Sequence, residues 1–422
     1  MIGHATAPRQ LEPREHAAPG PLASARVLYI SYDGLLEPLG QSQIVPYVRG
    51  LAARGATIHM LSFEKSLEDA GAQRRQLQAD GVQWTALRYH KSPSVPATLY
   101  DVLHGVLAGW RLIRRERITL VHARSEVAGI MAWMLKRLTG ARFLFDMRGF
   151  WPEERVEGGL WRAGGWLHRA ASAWESQLVH EADAVITLTR AARQVLERHP
   201  HFIARPRRIV TIPTCVDLDR FRPQLKSPER VRELGLEGRF VLAYSGALGT
   251  WYLLEEMARF FRAVARRIEP AHFLILTGSP EASVRRALAA HEVPQDAVTV
   301  RAVPFAEMPE WVSLADAAVL FRRPAASLTG VCPTKLGEFL ACGVPVALNA
   351  GIGDCDELIH AHRVGVVVPE LTPSAYDAAA ASLVALCADS GLPGRCREAA
   401  DVFRLDEGVA RYGALYEELA RS

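Results

Sequence analysis

A short apolar run, a segment of helical length, then another apolar run: this alternation starts at residue 26 and continues almost to the end of the chain. In the first half the candidate strands are Arg26–Tyr32, Thr57–Phe63, Val82–Arg88, Ile118–Ala123, Arg142–Met147, Ala184–Thr189 and Arg208–Ile212. Amphipathic stretches such as Gln41–Arg54, Leu99–Arg117 and Glu126–Leu138 separate them. Strands spaced by helices of this length pair in parallel, with helices covering both faces of the sheet. The rhythm restarts after a loop near Gly238, with Phe240–Ser245, His272–Thr277, Val298–Val303, Ala317–Phe321, Pro345–Leu348 and Gly365–Val368. The chain therefore reads as α/β, with two doubly wound, Rossmann-like domains and a cleft between the carboxyl ends of their strands. Its 422 residues also exceed what one ordinary core holds. The expected divisions are a flexible leader over 1–25, a first domain over 26–205, a second over 206–404, and a final helix over 405–422. That helix either closes the second domain or crosses back to the first.

Several function classes are excluded by what the chain lacks. No G-x-G-x-x-G turn with a following acid-tipped strand is present, nor a G-x-x-x-x-G-K-[ST] loop, which argues against dinucleotide and P-loop chemistry. No run of eighteen apolar residues exists, and the polar segment 1–25 has no apolar core of a signal peptide. Six cysteines without a C-x-x-C pair fit a reducing, cytoplasmic setting. The net charge is only +4, but Arg111–Arg148 holds nine Arg or Lys against Glu116, Glu126 and Asp146. Such a bias steers anionic substrates or attracts an anionic bilayer, or is simply a solvated helix face. The expectation is peripheral contact with the inner face of a membrane. No nucleic-acid-binding signature accompanies the bias.

Chemistry concentrates in C-P-T-K-L-G-E-F-L-A-C-G-V-P-V at Cys332–Val346. Pro333 and Thr334 open a short helix that carries Lys335, Leu336 and Glu338 and stops at Gly343. Its free N–H groups and the lysine suit a phosphate, and Glu338, about one turn on, suits a ribose diol. An ordinary amphipathic helix with an exposed ion pair reads the same way. Two glycine turns add further candidates for anion-binding backbone: D-G-L-L-E-P-L-G-Q-S-Q, with Gly40 and Gln41, and Y-S-G-A-L-G-T-W, with Ser245, Gly246 and Gly249.

These motifs, with D-M-R-G-F-W-P-E-E-R at Asp146–Arg155, A-D-A-V-I-T-L-T at Ala182–Thr189 and I-P-T-C-V-D-L-D-R-F-R-P at Ile212–Pro223, occur in the order seen in family 4 glycosyltransferases of the GT-B fold. The chain resembles that family from Arg26 to Ser422. The resemblance implies a donor site for a nucleotide-diphosphate sugar in the second domain, an acceptor site in the first, and retention of anomeric configuration. It also implies that Glu338 binds the ribose. The family's preceding glutamate is replaced by Gly330, and its phosphate-binding Arg and Lys by Ala247 and Leu253. Among the compensating cations Arg322, Arg323 and Lys335, we expect Arg323 and Lys335 to serve the diphosphate. Where the family often has a His-Asp pair, the chain has Phe145-Asp146 followed by Arg148. Asp146 and Arg148 are thus catalytic candidates by position, together with Lys335.

Two Asp-x-Asp triplets, Asp217–Asp219 and Asp354–Asp356, read as turn and helix-start residues, so no metal and no cofactor are expected. Trp166 and Trp174 share a helical spacing with Leu167, Ala170, Ala171 and Leu178 that fits core packing. Trp151 and Trp161 flank a Gly-rich stretch and are candidates for a lid over the acceptor or for a membrane interface. The expected function is transfer of a sugar to a hydroxyl of a glycan or lipid-linked acceptor in cell-surface polysaccharide or glycolipid assembly. The alternatives are a nucleotide-sugar epimerase of the same fold and a non-catalytic nucleotide-sugar binding protein.

Overall fold

The computed structural model describes residues 22–421 apart from 69, 200, 201, 204, 205 and 250. Most of the expected leader, and the position expected to divide the two domains, lie outside the described residues. Every strand expected from sequence is present. Seven form one sheet in the order β3-β2-β1-β4-β5-β6-β7, and six form a second in the order β10-β9-β8-β11-β12-β13. The first set is β1 (Arg26–Ser31), β2 (Thr57–Glu64), β3 (Val82–Arg88), β4 (Leu120–Arg124), β5 (Arg142–Asp146), β6 (Ala184–Thr187) and β7 (Arg208–Thr211). The second is β8 (Phe240–Ser245), β9 (Ala271–Leu276), β10 (Val298–Arg301), β11 (Ala317–Leu320), β12 (Val346–Asn349) and β13 (Gly365–Val368). All neighbouring strands within the two sheets pair in parallel. Each sheet reverses its winding once, between β1 and β4 and between β8 and β11. A crevice opens at such a switch point, beyond the carboxyl ends of the strands.

The first domain runs past the division expected after residue 205. β7 pairs with β6, and Ile209 enters the first domain's core. The chain then crosses to the second domain and later returns, and the two crossings pair with one another. Val216 N donates to Phe403 O at 2.7 Å, and Leu405 N donates to Val216 O at 3.1 Å. The last helix, Leu405–Arg421, therefore lies on the first domain, where Tyr412, Leu415, Tyr416 and Leu419 join the core beside Tyr47 and Leu51. Each such side chain stabilises the attachment by roughly 1.5–3 kcal/mol. Leu22, within the expected leader, packs on the same helix at Gly413.

Local signals explain several boundaries. β6 ends before Thr189 because Thr189 caps the helix Arg190–Glu197, its Oγ1 accepting from Ala192 N at 2.9 Å. The helix Ser125–Thr139 closes at Gly140, whose φ of +75° suits a left-handed cap. Trp166 departs from expectation. It is 68% exposed, because helical spacing marks a shared face without saying that the face is covered. Trp174 is also exposed and meets Trp133 edge to face, with ring centroids 5.2 Å apart. Among the described residues no helix is long and apolar enough to cross a membrane.

Candidate functional site

The helix Thr334–Ala341 starts where the sequence places it, with Pro333 as its N-cap and Leu336, Gly337 and Glu338 buried. Gly337 lets it press on the crossing residues Val216 and Phe403, since a Cβ there would lie 2.9 Å from Val216. Its first turn is thereby fixed beside the switch point of the second sheet. Leu336 is spent on that packing, leaving Lys335 and Glu338 as the residues with chemistry to offer.

Lys335 reaches the glycine turn after β8. A Cβ built on Gly246 would overlap Lys335 Cε and lie 2.7 Å from Nζ, so only glycine lets the lysine cross there. Gly246 also has φ +121°, a backbone state that side chains strain. The Lys335 ammonium then sits 4.7 Å from the centroid of the Tyr252 ring. Arg322, just past β11, lies 5.2 Å from the same ring, and its backbone N donates to Asn349 Oδ1 at 2.7 Å. An antiparallel bridge between Tyr252 and Arg322 holds these segments together. Two cations thus flank one aromatic ring, and among the described residues neither has a carboxylate within ion-pair distance. Like charges gathered at one ring repel, and a bound anion reduces that cost. Gly246→Ala should displace the Lys335 ammonium. About 1 kcal/mol of stability is expected to be lost; an unchanged Tm in thermal unfolding would show that the turn accommodates a side chain without moving the lysine.

Glu338, one turn deeper, is buried, and burial pushes its carboxyl above the usual range although Lys335 and Arg220 oppose the shift. Arg220 stacks on Phe305, its guanidinium 3.9 Å from the ring centroid. Asp217 forms the turn expected of it, Oδ1 accepting from Asp219 N at 3.0 Å and Arg220 N at 3.1 Å. Asp354 acts across the domains, accepting from Arg190 N at 2.7 Å and Ala191 N at 3.1 Å. Among the described residues no three His, Cys, Asp or Glu side chains converge as metal ligands would.

The other candidates separate into groups. Ser245 is buried at the end of β8, and Gly249 has open space around it. Arg323 is exposed, with its backbone N bonded to Trp251 O at 2.9 Å; of the two adjacent arginines, it is Arg322 that stands at the Tyr252 ring beside Lys335. Gly40 is spent on packing, because a Cβ there would overlap the Gly34 carbonyl. Gln41 holds the same loop, its Nε2 donating to Leu35 O at 2.7 Å and Gln73 Oε1 at 3.1 Å. Trp151 and Trp161 meet edge to face at 5.1 Å, with Arg155 over Trp151. The helix Trp151–Glu157, which begins at Trp151 and ends before Trp161, touches the second domain, where Glu157 accepts from Ser327 N at 3.1 Å and from Ser327 Oγ.

Asp146 lies at the end of β5 but is sealed in at 1% exposure. Tyr412 OH of the last helix donates to Asp146 Oδ2 at 3.0 Å, Arg148 Nη1 lies 3.3 Å from Oδ1, and His122 Nε2 lies 3.6 Å from Oδ2. Burial opposes ionisation, yet Arg148, His122 and Arg124 together hold the carboxyl well below the usual carboxylate range. Asp146 reads as a positioning residue for Arg148 and the last helix, not as a group open to the cleft.

Gly330 meets the first domain directly. A Cβ on it would lie 3.1 Å from Gly149 Cα and 3.1 Å from a ring carbon of Phe150. The neighbouring Thr329 O accepts from Thr189 Oγ1 at 2.6 Å. The place that resemblance assigns to a glutamate is thus a domain contact at which even a Cβ would sit tightly.

Sequence reasoning missed Tyr252 and Arg220, which become site residues only through tertiary placement. It also missed Glu126, buried at the start of its helix near Asp33 and Glu154, where burial pushes the carboxyl up to about 8. Two cavities flank the domain junction away from Lys335: one of about 710 Å³ beside Thr189, Arg190, Cys332 and Arg411, and one of about 560 Å³ beside Phe150, Glu175 and Ser327.

Comparison with known proteins bears on family and fold. Residues 41–215 match the model of a glycosyl transferase 4-like domain, and residues 239–386 match that of glycosyl transferases group 1. The D-inositol 3-phosphate glycosyltransferase of Segniliparus rotundus is 29% identical over 309 residues, covering 70% of this chain and 65% of the relative. That of Geodermatophilus obscurus is 29% identical over 273 residues, covering 60% and 57%. The chain thus spans less than two thirds of the length of these relatives. Among solved structures, sucrose-phosphate synthase from Thermosynechococcus elongatus has a TM-score of 0.70 at 17% identity, covering 94% of this chain and 99% of that one. Anabaena HepE in complex with UDP and glucose has a TM-score of 0.64 at 13% identity, covering 93% and 100%. At such identities the likeness establishes the fold, and the fold is GT-B.

Proposed function

This chain belongs to the glycosyltransferases, joining a 4-like domain to a group 1 domain, and on that premise we propose that it moves a sugar from a nucleotide-diphosphate donor to a hydroxyl. The acceptor is a glycan or a lipid-linked sugar of cell-surface polysaccharide or glycolipid assembly, and anomeric configuration is retained. One observation carries the reading. Lys335 and Arg322 flank the Tyr252 ring at the switch point of the second sheet, unneutralised among the described residues, with Gly246 shaped to let the lysine through. A diphosphate fits between such cations, and Glu338, one turn away, takes the ribose.

In this reaction the bond from the anomeric carbon to the diphosphate breaks and a bond to the acceptor oxygen forms on the same face. The proton of the acceptor hydroxyl passes to the departing diphosphate. Charge grows on that diphosphate in the transition state, so fixed cations lower the barrier without any strong nucleophile. The nucleotide is a co-substrate, and no metal enters.

HepE was solved with UDP, which makes uridine diphosphate the first nucleotide to try. A thermal-shift series with uridine, guanosine, cytidine and adenosine diphosphates tests the reading. A true ligand at about 100 times its dissociation constant adds roughly 2.7 kcal/mol, a clear rise in Tm. A flat response to all four would refute it. Binding with no donor hydrolysis or transfer would leave a nucleotide-sugar binding protein instead of an enzyme.

A further inference from the structure

Among the described residues, the helix Ser94–Glu116 leaves one whole face exposed. Its inner face is buried through Val102, Val106 and Ile113, with Gly105 and Gly109 close against Met131 and Leu135. Val95, Leu99, Leu103, Leu107 and Trp110 are all exposed, between 38% and 59%. Their spacing of four, four, four and three residues sets them in one stripe about 22 Å long. An apolar stripe of that length on an outer helix marks an interaction surface.

Charge identifies what covers it. The stripe ends in exposed arginines, and much of the basic bias read from sequence is neutralised elsewhere. Arg124 pairs with Asp33, Lys136 and Arg142 with Asp183, Arg137 with Glu181, and Arg148 with Asp146. Arg111, Arg114 and Arg117 have no carboxylate partner among the described residues, and Arg114 lies over the Trp110 ring at 5.7 Å. The helix has two acids: Asp101 is buried, and Glu116 pairs with Arg115. A second copy of this helix would bring no exposed acid to meet those arginines. An anionic bilayer accepts both the apolar stripe and the cations, as amphipathic helices lying in the membrane plane do.

We infer that Ser94–Glu116 is the surface by which this protein docks on an anionic lipid bilayer. The docking also bears on the acceptor. Asp101 Oδ2 accepts from Tyr32 OH at 2.9 Å and from His90 N at 3.0 Å, tying the helix to the loop after β1 and to the end of β3. Those loops form the cleft rim of the first domain, so the end of the stripe at Val95 and Leu99 lies beside it while the arginines lie at the far end. A docked protein holds its acceptor side at the lipid surface, which favours a lipid-linked acceptor over a soluble glycan. That last step rests on the transferase reading above; the docking surface does not.

The test is co-sedimentation of the full chain with phosphatidylcholine vesicles, with and without phosphatidylglycerol, alongside the variants Leu103→Glu/Leu107→Glu and Arg111→Glu/Arg114→Glu. All four positions are exposed, so circular dichroism and Tm should match wild type. Wild type is expected to bind only the phosphatidylglycerol vesicles, less so at high salt, and each double variant is expected to bind at least about tenfold more weakly. Equal binding by wild type and variants, or no wild-type binding, would overturn the inference. So would a dimer seen by ultracentrifugation that Leu103→Glu/Leu107→Glu abolishes, because a second copy would then be the occupant. Nucleoside diphosphate affinity in the same variants should be unchanged, which keeps a failure of docking distinct from a failure of the donor site.

Discussion

Asp146→Ala is expected to cost about 3–5 kcal/mol of stability at neutral pH, the penalty for stranding a buried charge whose partner has been removed. The stranded group is Arg148, whose proton affinity is raised, against the cost of its own burial, chiefly by Asp146. The substitution also removes the acceptor for Tyr412 OH, one of the bonds that tie the returning helix to the first domain. Urea unfolding followed by tryptophan fluorescence measures the loss. Asp146→Asn keeps the shape and the acceptor and should cost less. The pH dependence has a fixed sign. The folded carboxyl titrates below its unfolded value of about 3.9, so its contribution is complete above that pH and fades as the pH falls further. The gap between wild type and Asp146→Ala should therefore be constant from neutral pH down to about 5 and narrow below 4. A gap under about 1 kcal/mol at neutral pH would show that Arg148 has another counter-charge.

Lys335→Ala should leave the fold intact and lower turnover by roughly 2–4 kcal/mol of barrier, about 30- to 1000-fold. The lysine lies against Gly246 and Tyr252 and has no ion pair among the described residues, so its removal breaks no contact there comparable to that of Asp146. Its charge matters most when the diphosphate leaves, so turnover should fall more than donor affinity. Steady-state kinetics with the donor identified by thermal shift would show this. A KM that rises with unchanged turnover would place Lys335 in ground-state binding only.

The two sheets were legible because parallel strands covered on both faces are continuous apolar runs, and thirteen such runs in order leave few topologies. The Lys335–Glu338 turn was legible because its chemistry lies within one helix. What sequence could not reveal depends on distant segments meeting. Tyr252 and Arg322 are seventy residues apart and meet through one bridge. Gly330 looks like a missing functional group until Gly149 and Phe150 of the first domain are found packed closely against it. Asp146 was placed at a strand end correctly, but the lid that buries it, Tyr412, comes from the far end of the chain. Helical spacing likewise identified the face of Trp166 and could not show that it is exposed among the described residues.

The central claim is that a nucleoside diphosphate binds between Lys335, Arg322 and Glu338. Calorimetric titration of wild type and Glu338→Ala with the diphosphate found by thermal shift tests it most directly. Wild type should bind with a single site, and Glu338→Ala, with its native Tm, should bind about 1.5–3 kcal/mol more weakly, the worth of a charge-assisted hydrogen bond to ribose. Equal affinity in the two proteins would contradict the account and place the nucleotide elsewhere.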